Sequence, residues 1–298
     1  MQIERVGTLC TDLGECPVWD ARQQRLWMLD CRRGHVILVD PGSGEHRVIE
    51  LPAPLGSMAL NGPDSVVVAL QHEIALLFPA TGALRTVAAL DERHPHLRLN
   101  DGAAMPDGSF VVGTMHPVRG DSEPPLGGLY RLDPAGRLAQ LDRDLAIVNG
   151  PVAHPSGKEV YVCDSAARAI YRYRIDSAGR WRARERFVDT QPWDSGPDGC
   201  CFDSEGGLWT ALVRVGALAR FDASGTLTHR IPLPVAHPAS LCFGGEDLAD
   251  LYVTTIRDSG RLRANGELDG ALLRLRGTGW RGAPRPECRI AVPAMAGP

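Results

Sequence analysis

The chain has 298 residues, of which 44% are hydrophobic and 23% charged, and its formal net charge is −4. This is the composition of a soluble globular protein, and the absence of a basic block argues against nucleic acid and anionic membranes as partners. No apolar run is long enough to span a bilayer, and the first residues do not resemble a secretory signal. We therefore expect a cytoplasmic protein without a membrane span.

Short apolar runs recur along the chain, and turn-forming residues bound each of them. Each recurring unit opens on a polar residue and continues into a strand-forming run; a second apolar pair and a fourth short strand follow. In chain order, the opening residues are Glu15, Ser57, Asp101 (or its neighbour Asn100), Asn149, Asp198 and Ser240.

The units repeat every ~40 to 50 residues, a period typical of propeller blades. They predict an all-β fold, namely a six-bladed β-propeller with four-stranded blades and a central channel. We expect one domain over residues 1–298. A β-sandwich would show strands without this long period. The dipeptides Trp19-Asp20 and Trp193-Asp194 resemble those of WD40 repeats, but they lie at different phases and have no matching Gly-His.

The two ends of the chain carry further apolar runs, at residues 3–9, 271–275 and 288–292. Closing a ring of blades requires a partner for the last sheet. We therefore expect N- and C-terminal strands to share one blade, which leaves no exposed edge.

The eight cysteines include no C-x-x-C pair, and several lie within apolar runs. This pattern predicts buried free thiols in a reducing compartment rather than a thiolate zinc site. The adjacent Cys200 and Cys201 would point to opposite faces of a strand, so we expect them to pack rather than to react.

The opening residues of the six units suggest a metal site. The first strand of each propeller blade lines the channel, so side chains at one phase of every repeat point at one axis. Three carboxylates and an amide there would repel one another unless a cation lay between them. Oxygen ligands of this kind suit Ca²⁺, Mg²⁺ or Mn²⁺. Taken singly, Asn-Gly and Pro-Asp-Gly are ordinary turn sequences. Two observations favour the metal site: the opening residues share one phase of the repeat, and Glu15 does not lie in a typical turn sequence.

Seven ordered motifs resemble the SMP-30/gluconolactonase/regucalcin family. The resemblance runs from about residue 13 to 276. The motifs are Gly-Glu-Cys-Pro-Val-Trp at 14–19, Arg-Leu-Asn-Asp-Gly at 98–102, Gly-Thr-Met at 113–115, Val-Asn-Gly at 148–150, Pro-Asp-Gly at 197–199, Cys-Phe-Gly-Gly at 242–245 and Leu-Tyr-Val-Thr-Thr at 251–255.

The resemblance implies a six-bladed propeller with one divalent ion in the channel, and members of the family are mostly sugar lactonases. The ion could be Ca²⁺, Zn²⁺, Mg²⁺, Mn²⁺ or Fe²⁺. The partner would be a small sugar lactone, and the protein a monomer or weak homo-oligomer. The implied metal ligands are Glu15, Asn149 and Asp198, with Asp198 also the catalytic base or the group that orients water. The substrate-binding residues would be Arg98, Asn100, Asp101 and His116.

Lactone hydrolysis is chemically coherent with these residues. The reaction needs a polarised carbonyl, an activated water and a stabilised oxyanion. A channel cation can supply the first and third and can lower the pKa of bound water. A carboxylate at the ion can accept the proton of that water.

Three departures from the family pattern concern specificity. His116 follows the Gly-Thr-Met motif, where some members carry acidic residues, and it is either a substrate contact or an exposed loop residue. Arg214, together with Arg98 and Arg119, would favour an anionic lactone. The segment at 119–125 is either a lid over the channel or a plain surface loop.

Other functions remain open at this level. They are a non-catalytic Ca²⁺-binding regulatory propeller, a broader metal-dependent esterase or phosphotriesterase, and an interaction scaffold. A scaffold would not need polar residues at the channel axis, and Arg98 and Asn100 favour a substrate site.

Overall fold

A computed structural model describes residues 1–91, 97–116 and 123–292. In these ranges, 24 strands form six four-stranded antiparallel sheets, and the only helix is a short 3-10 turn at Gln191–Trp193. The first three blades contain β2 Gly14–Asp20, β3 Arg25–Asp30, β4 His35–Val39 and β5 His46–Glu50; β6 Ser57–Asn61, β7 Ser65–Ala69, β8 Glu73–Phe78 and β9 Ala83–Ala89; and β10 Arg98–Ala104, β11 Phe110–Met115, β12 Gly127–Leu132 and β13 Leu138–Leu145. The other three contain β14 Val148–Ala153, β15 Glu159–Asp164, β16 Ala169–Arg174 and β17 Glu185–Asp189; β18 Pro197–Phe202, β19 Leu208–Leu212, β20 Ala217–Phe221 and β21 Leu227–Pro232; and β22 Pro238–Gly244, β23 Asp250–Thr255, β24 Leu273–Arg276 and the N-terminal β1 Gln2–Arg5.

Burial decreases from the first strand of a blade to the last. Every residue of β6 and of β18 is buried, whereas four of the five residues of β5 are exposed. The first strands contact those of neighbouring blades around the ring, so they lie inside on both faces. This arrangement explains their small and apolar residues. The predicted six-bladed propeller with four-stranded blades is confirmed.

The sixth blade joins the two ends of the chain. Strand β1 pairs antiparallel with β24, with Ile3 opposite Leu275. The side chain of Arg274 donates to Glu4 Oε1 at 2.6 Å across the same pair. Strand β1 therefore supplies the fourth and outermost strand of the last sheet, so β24 is paired on both sides and hydrogen bonds between sequence-distant strands hold the ring closed.

The segment after β24 crosses one end of the channel instead of adding a strand. The Ala283 N–H donates to Phe202 O at 3.1 Å, and the Cys288 N–H donates to Leu60 O at 2.8 Å, on the other side of the ring. Between them, the Arg285 guanidinium donates to Pro17 O and Cys200 O, each at 3.0 Å. We call residues 281–291 the crossing segment, and it covers the channel at the C-terminal ends of the first strands.

All eight cysteines are free, and seven of them are buried, which confirms the predicted thiols. Cys163 and Cys200 approach each other, with 3.2 Å between their sulfur atoms. No helix within the described ranges is long and apolar enough to cross a membrane.

Candidate functional site

A cavity of about 600 Å³ opens at the N-terminal ends of the first strands, opposite the crossing segment. Five blades contribute polar side chains to its lining, so the repeat brings together residues that are far apart in sequence. The predicted site residues that line it are Glu15, Arg98, Asn100, His116, Asn149 and Asp198.

Irregular pairing occurs where the candidate ligands lie. The register between the first two strands shifts between Glu15 and Val18 in the first blade, between Asn149 and Val152 in the fourth, and between Pro197 and Cys200 in the fifth. Bulges of this kind redirect side chains and often lie next to active sites. By contrast, β6 and β7 pair without a shift, and Ser57 does not line the cavity. Register shifts also occur in the third and sixth blades, whose Asp101 and Ser240 line a different cavity, so a bulge accompanies each candidate ligand but does not by itself direct a side chain into this cavity.

The charged forms of the two cavity carboxylates, Glu15 and Asp198, are disfavoured by their surroundings. Burial, followed by the negative charges of Asp198 and Asp101, raises the pKa of Glu15 well above its ordinary value. Burial and then the charge of Asp101 do the same to the pKa of Asp198. Among the described residues, no group donates a hydrogen bond to the buried Oδ1 of Asp198. Buried oxygens without donors are expected to bind a cation or water.

The amide of Asn149 lies in a defined hydrogen-bond network. Its Nδ2 donates to Ser165 Oγ at 2.8 Å, and its Oδ1 accepts from Asn100 Nδ2 at 2.7 Å. Asn100 Nδ2 also donates to Val148 O at 2.8 Å. Ser165 lines the cavity, but sequence reasoning missed it. A signal was available, since Ser165 follows the aspartate that ends a strand, as Cys31 does in the first blade.

Arg98 brings a positive charge next to the carboxylates. Burial lowers the pKa of its guanidinium, while the negative charge of Glu15 acts in the opposite direction. Its Nη1 donates to Leu99 O at 2.8 Å, which fixes the side chain beside the cavity. An arginine held in this way can donate to an oxygen of a bound substrate.

Asp101 is not in the lining of this cavity. It lines a second, narrow cavity at the crossing segment, where Arg285 is the other charged lining residue within the described ranges. Its carboxylate accepts the N–H groups of Gly102 at 2.8 Å and of Gly150 at 2.7 Å. The positive charge of Arg285 also counteracts the burial that raises the Asp101 pKa. This geometry supports a structural role for Asp101 rather than the substrate contact expected from sequence.

His116 is buried in the cavity wall, with its Nδ1 3.9 Å from Glu123 Oε2. Its location agrees with a substrate contact and differs from that of an exposed loop residue. Arg119 and most of the possible lid at 119–125 lie outside the described residues.

Three arginines surround the mouth of the cavity. Arg214 is one of them, and sequence analysis missed the other two, Arg168 and Arg261. Arg168 pairs with the exposed Asp194 at 2.8 Å. These residues come from different turns that the fold places together, so no local pattern marks them.

The donor set at the cavity floor fits a hard divalent cation. It offers the carboxylates of Glu15 and Asp198 and the amide oxygen of Asn149, and all of these donors are oxygens. In the described part of the chain, no three histidine, cysteine, aspartate or glutamate side chains form a ligand cluster. A metal site here would therefore depend on the neutral amide.

Comparison with known proteins agrees with this fold. The profile of the SMP-30/Gluconolactonase/LRE-like region matches residues 13–257. The chain is 34% identical over 249 residues to 6-deoxy-6-sulfogluconolactonase of Pseudomonas putida, covering 83% of this chain and 84% of that protein. It is 33% identical over 289 residues to pentonolactonase XacC of Haloferax volcanii, covering 92% and 94%.

Among solved structures, regucalcin of Agrobacterium tumefaciens, described as a calcium-binding protein, superposes with a TM-score of 0.85. The two chains are 26% identical, and the match covers 96% of this chain and 98% of that one. The resemblance of the ordered motifs is thereby confirmed, and the chain belongs to the SMP-30/gluconolactonase/regucalcin-like family.

Proposed function

We propose that this protein is a divalent-metal-dependent hydrolase of sugar lactones, with Glu15, Asn149 and Asp198 as metal ligands. The observation that carries the metal site is the buried Asp198 Oδ1, which has no donor among the described residues and lies beside a second carboxylate. Relatives named as lactonases support the hydrolysis of a sugar lactone. The identity of the ion, the cytoplasmic location and the single domain remain predictions.

The reaction adds water to the ester carbon of the lactone. The bond between that carbon and the ring oxygen breaks, the ring oxygen receives a proton, and a hydroxy acid is released. A divalent ion bound at this site would polarise the carbonyl and lower the pKa of water. Asp198 accepts the proton of the attacking water or orients that water. Arg98 donates to the carbonyl or ring oxygen of the lactone.

Asn100 contacts the substrate through its oxygen atom. Its Nδ2 already donates to Val148 O and Asn149 Oδ1, so Oδ1 is the atom able to accept from a sugar hydroxyl. His116 contributes from the cavity wall as a second hydroxyl contact. Asn100 selects a polyhydroxylated substrate over a simple ester, because an ester without hydroxyls offers no donor to its Oδ1.

The first test measures proton release from glucono-, galactono-, xylono- and arabinonolactone and an acidic lactone. The protein is treated with a chelator, and single metals are then added back. We expect turnover that disappears with the chelator and returns with at least one divalent ion. A rise in melting temperature with metal, but no turnover of any lactone, would favour a non-catalytic calcium-binding role. Turnover that is insensitive to chelation would overturn the metal mechanism.

We also propose a preference for anionic lactones. Arg168, Arg214 and Arg261 lie at the mouth of the cavity, and a relative is named for a sulfonated substrate. We expect Arg214→Ala to raise KM for a carboxylated or sulfonated lactone about 3- to 10-fold, since solvent-exposed charge pairs contribute roughly 1 kcal/mol. KM for gluconolactone is expected to stay unchanged. An equal change of KM for both lactones, or no change for either, would contradict the preference.

A further inference from the structure

The Asn149 amide donates a hydrogen bond to Ser165, which lies in a turn whose backbone is held on both sides. Ser165 begins the turn between β15 and β16, and its N–H donates to Ile147 O at 3.0 Å. The preceding Asp164 is buried and accepts the N–H groups of Ala146 at 2.8 Å and Ala167 at 3.1 Å. Because both flanks of the turn are held by backbone groups, the Ser165 side chain has little freedom to move.

The direction of each hydrogen bond around Ser165 follows from its partners. Ser165 Oγ lies 2.6 Å from Pro197 O, and a carbonyl can only accept, so the single hydroxyl proton points there. The hydroxyl oxygen can then only accept from Asn149, and the atom 2.8 Å away is Nδ2. The amide nitrogen of Asn149 is therefore directed to Ser165, and its Oδ1 is turned to the opposite side.

A second carbonyl imposes the same orientation from the other side. Asn100 Nδ2 donates to Val148 O, which fixes the nitrogen of that amide. The same Nδ2 reaches Asn149 Oδ1 at 2.7 Å. Two backbone carbonyls, Pro197 O and Val148 O, thus determine which atom of Asn149 is the oxygen. One lone pair of that oxygen accepts from Asn100, and the other is available to a cation.

The repeat offers an internal comparison. Glu15 and Asn149 occupy the same position, since Gly14 pairs with Asp30 as Val148 pairs with Asp164. The residue equivalent to Ser165 in the first blade is Cys31, whose sulfur lies 3.7 Å from Gly56 O. A carboxylate can present either of its two oxygens to a metal. An amide must be oriented so that its oxygen, and not its nitrogen, faces the metal, and an acceptor for the nitrogen fixes that orientation. The hydroxyl therefore occurs behind the amide ligand, and a thiol, which is a weak acceptor, occurs behind the carboxylate.

The neighbouring backbone is shaped to admit this contact. A Cβ placed on Gly196 would lie 2.6 Å from Ser165 O and 3.1 Å from Ser165 Cα. Any other residue at 196 would push the turn away from Pro197. The close approach keeps Ser165 against the residue that precedes Asp198, so one hydroxyl connects two of the proposed ligands.

We propose that Ser165 is a positioning residue that fixes the Asn149 amide with its oxygen toward the metal and links it to the strand that carries Asp198. This inference rests on the metal site proposed above. Ser165 does not itself touch the ion or the reacting atoms. Such supporting partners typically contribute about 10- to 100-fold to metal affinity.

The test measures metal affinity directly, by calorimetric titration of chelator-treated protein with Ca²⁺ and Mn²⁺. For Ser165→Ala and for the nearly isosteric Ser165→Cys we expect Kd to rise about 10- to 100-fold. For Ser165→Thr, which keeps the hydroxyl, we expect a Kd close to that of the wild type. The melting temperature of each metal-free variant is measured in parallel, and we expect a modest fall for Ser165→Ala, since the substitution leaves Pro197 O and Asn149 Nδ2 without their hydroxyl partner.

The control is Ser259→Ala, because the Ser259 hydroxyl accepts the N–H of Leu262 within its own loop and does not contact Asn149. The control is expected to bind metal like the wild type. Wild-type affinity in Ser165→Ala, or an equal loss in Ser165→Thr, would overturn the inference. If the wild type itself binds neither ion, the proposed metal site fails instead, and the two failures are thus distinguished.

Discussion

Replacing Asp198 by asparagine is expected to lower kcat/KM for the lactone substrate about 10²- to 10⁴-fold, the range for loss of a general base. Asparagine has the same shape, but it cannot accept a proton from water and carries no charge for a cation. The measurement is steady-state hydrolysis at saturating metal. Asp189→Asn is the matched control, because Asp189 ends the outer strand of the preceding blade and caps the Gln191 N–H. Activity within a few-fold of the wild type in Asp198→Asn would exclude the assigned role.

The same variant has a second, independent readout in the stability of the metal-free protein. Burial and the charge of Asp101 raise the pKa of Asp198 in the folded state. The folded protein thus holds a proton at pH values above about 4, where the unfolded chain has released it. Stability consequently falls as pH rises from there through the raised pKa. Asp198→Asn removes this titrating carboxyl group. We therefore expect the stability of the metal-free variant to fall less steeply with pH than that of the metal-free wild type, and its melting temperature at neutral pH to be higher. A steeper fall would contradict the assigned charge conflict.

Replacing Asp203 by alanine is expected to cost about 3–5 kcal/mol of unfolding free energy, the range for breaking a buried ion pair. Asp203 is fully buried in the fifth blade. Its carboxylate accepts from Arg220 Nε at 2.6 Å, from the Trp209 indole at 2.8 Å and from the Gly207 N–H at 2.8 Å. Alanine would leave the buried guanidinium with the exposed Glu205 and the Thr228 hydroxyl as acceptors, and it would leave the Trp209 indole and the Gly207 N–H without their acceptor.

Urea denaturation of the wild type and of Asp203→Ala measures this difference in unfolding free energy directly. The matched control is Asp222→Ala, because Asp222 holds a similar turn through the N–H groups of Ser224 and Thr226, but at the surface. We expect a much smaller loss there, since water can replace the carboxylate. Equal losses in both variants would mean that turn formation, rather than the buried ion pair, accounts for the effect of Asp203.

The neighbouring residues Arg98, Asn100 and Asp101, all expected to contact the substrate, show the limit of what a local sequence pattern predicts. Arg98 and Asn100 line the cavity, but the neighbouring Asp101 does not. Adjacent strand residues point in opposite directions, and pairing shifts between Leu99 and Gly102. Sequence spacing identified a cluster of polar residues and could not assign each of them to one end of the channel.

The sequence by itself determined the fold and the elements that carry the site, because turn residues and apolar runs are local signals that repeat with the blade. The phase of that repeat placed Glu15, Asn149 and Asp198 near one axis together with three other opening residues, and the family resemblance selected these three as candidate metal ligands. Only the tertiary structure decided which atoms meet. Ser165 reaches Pro197 across 32 residues of sequence, and Arg285 reaches Pro17 across 268. Such contacts depend on the closure of the ring and on the bulges that redirect single side chains, and neither has a signature within one blade.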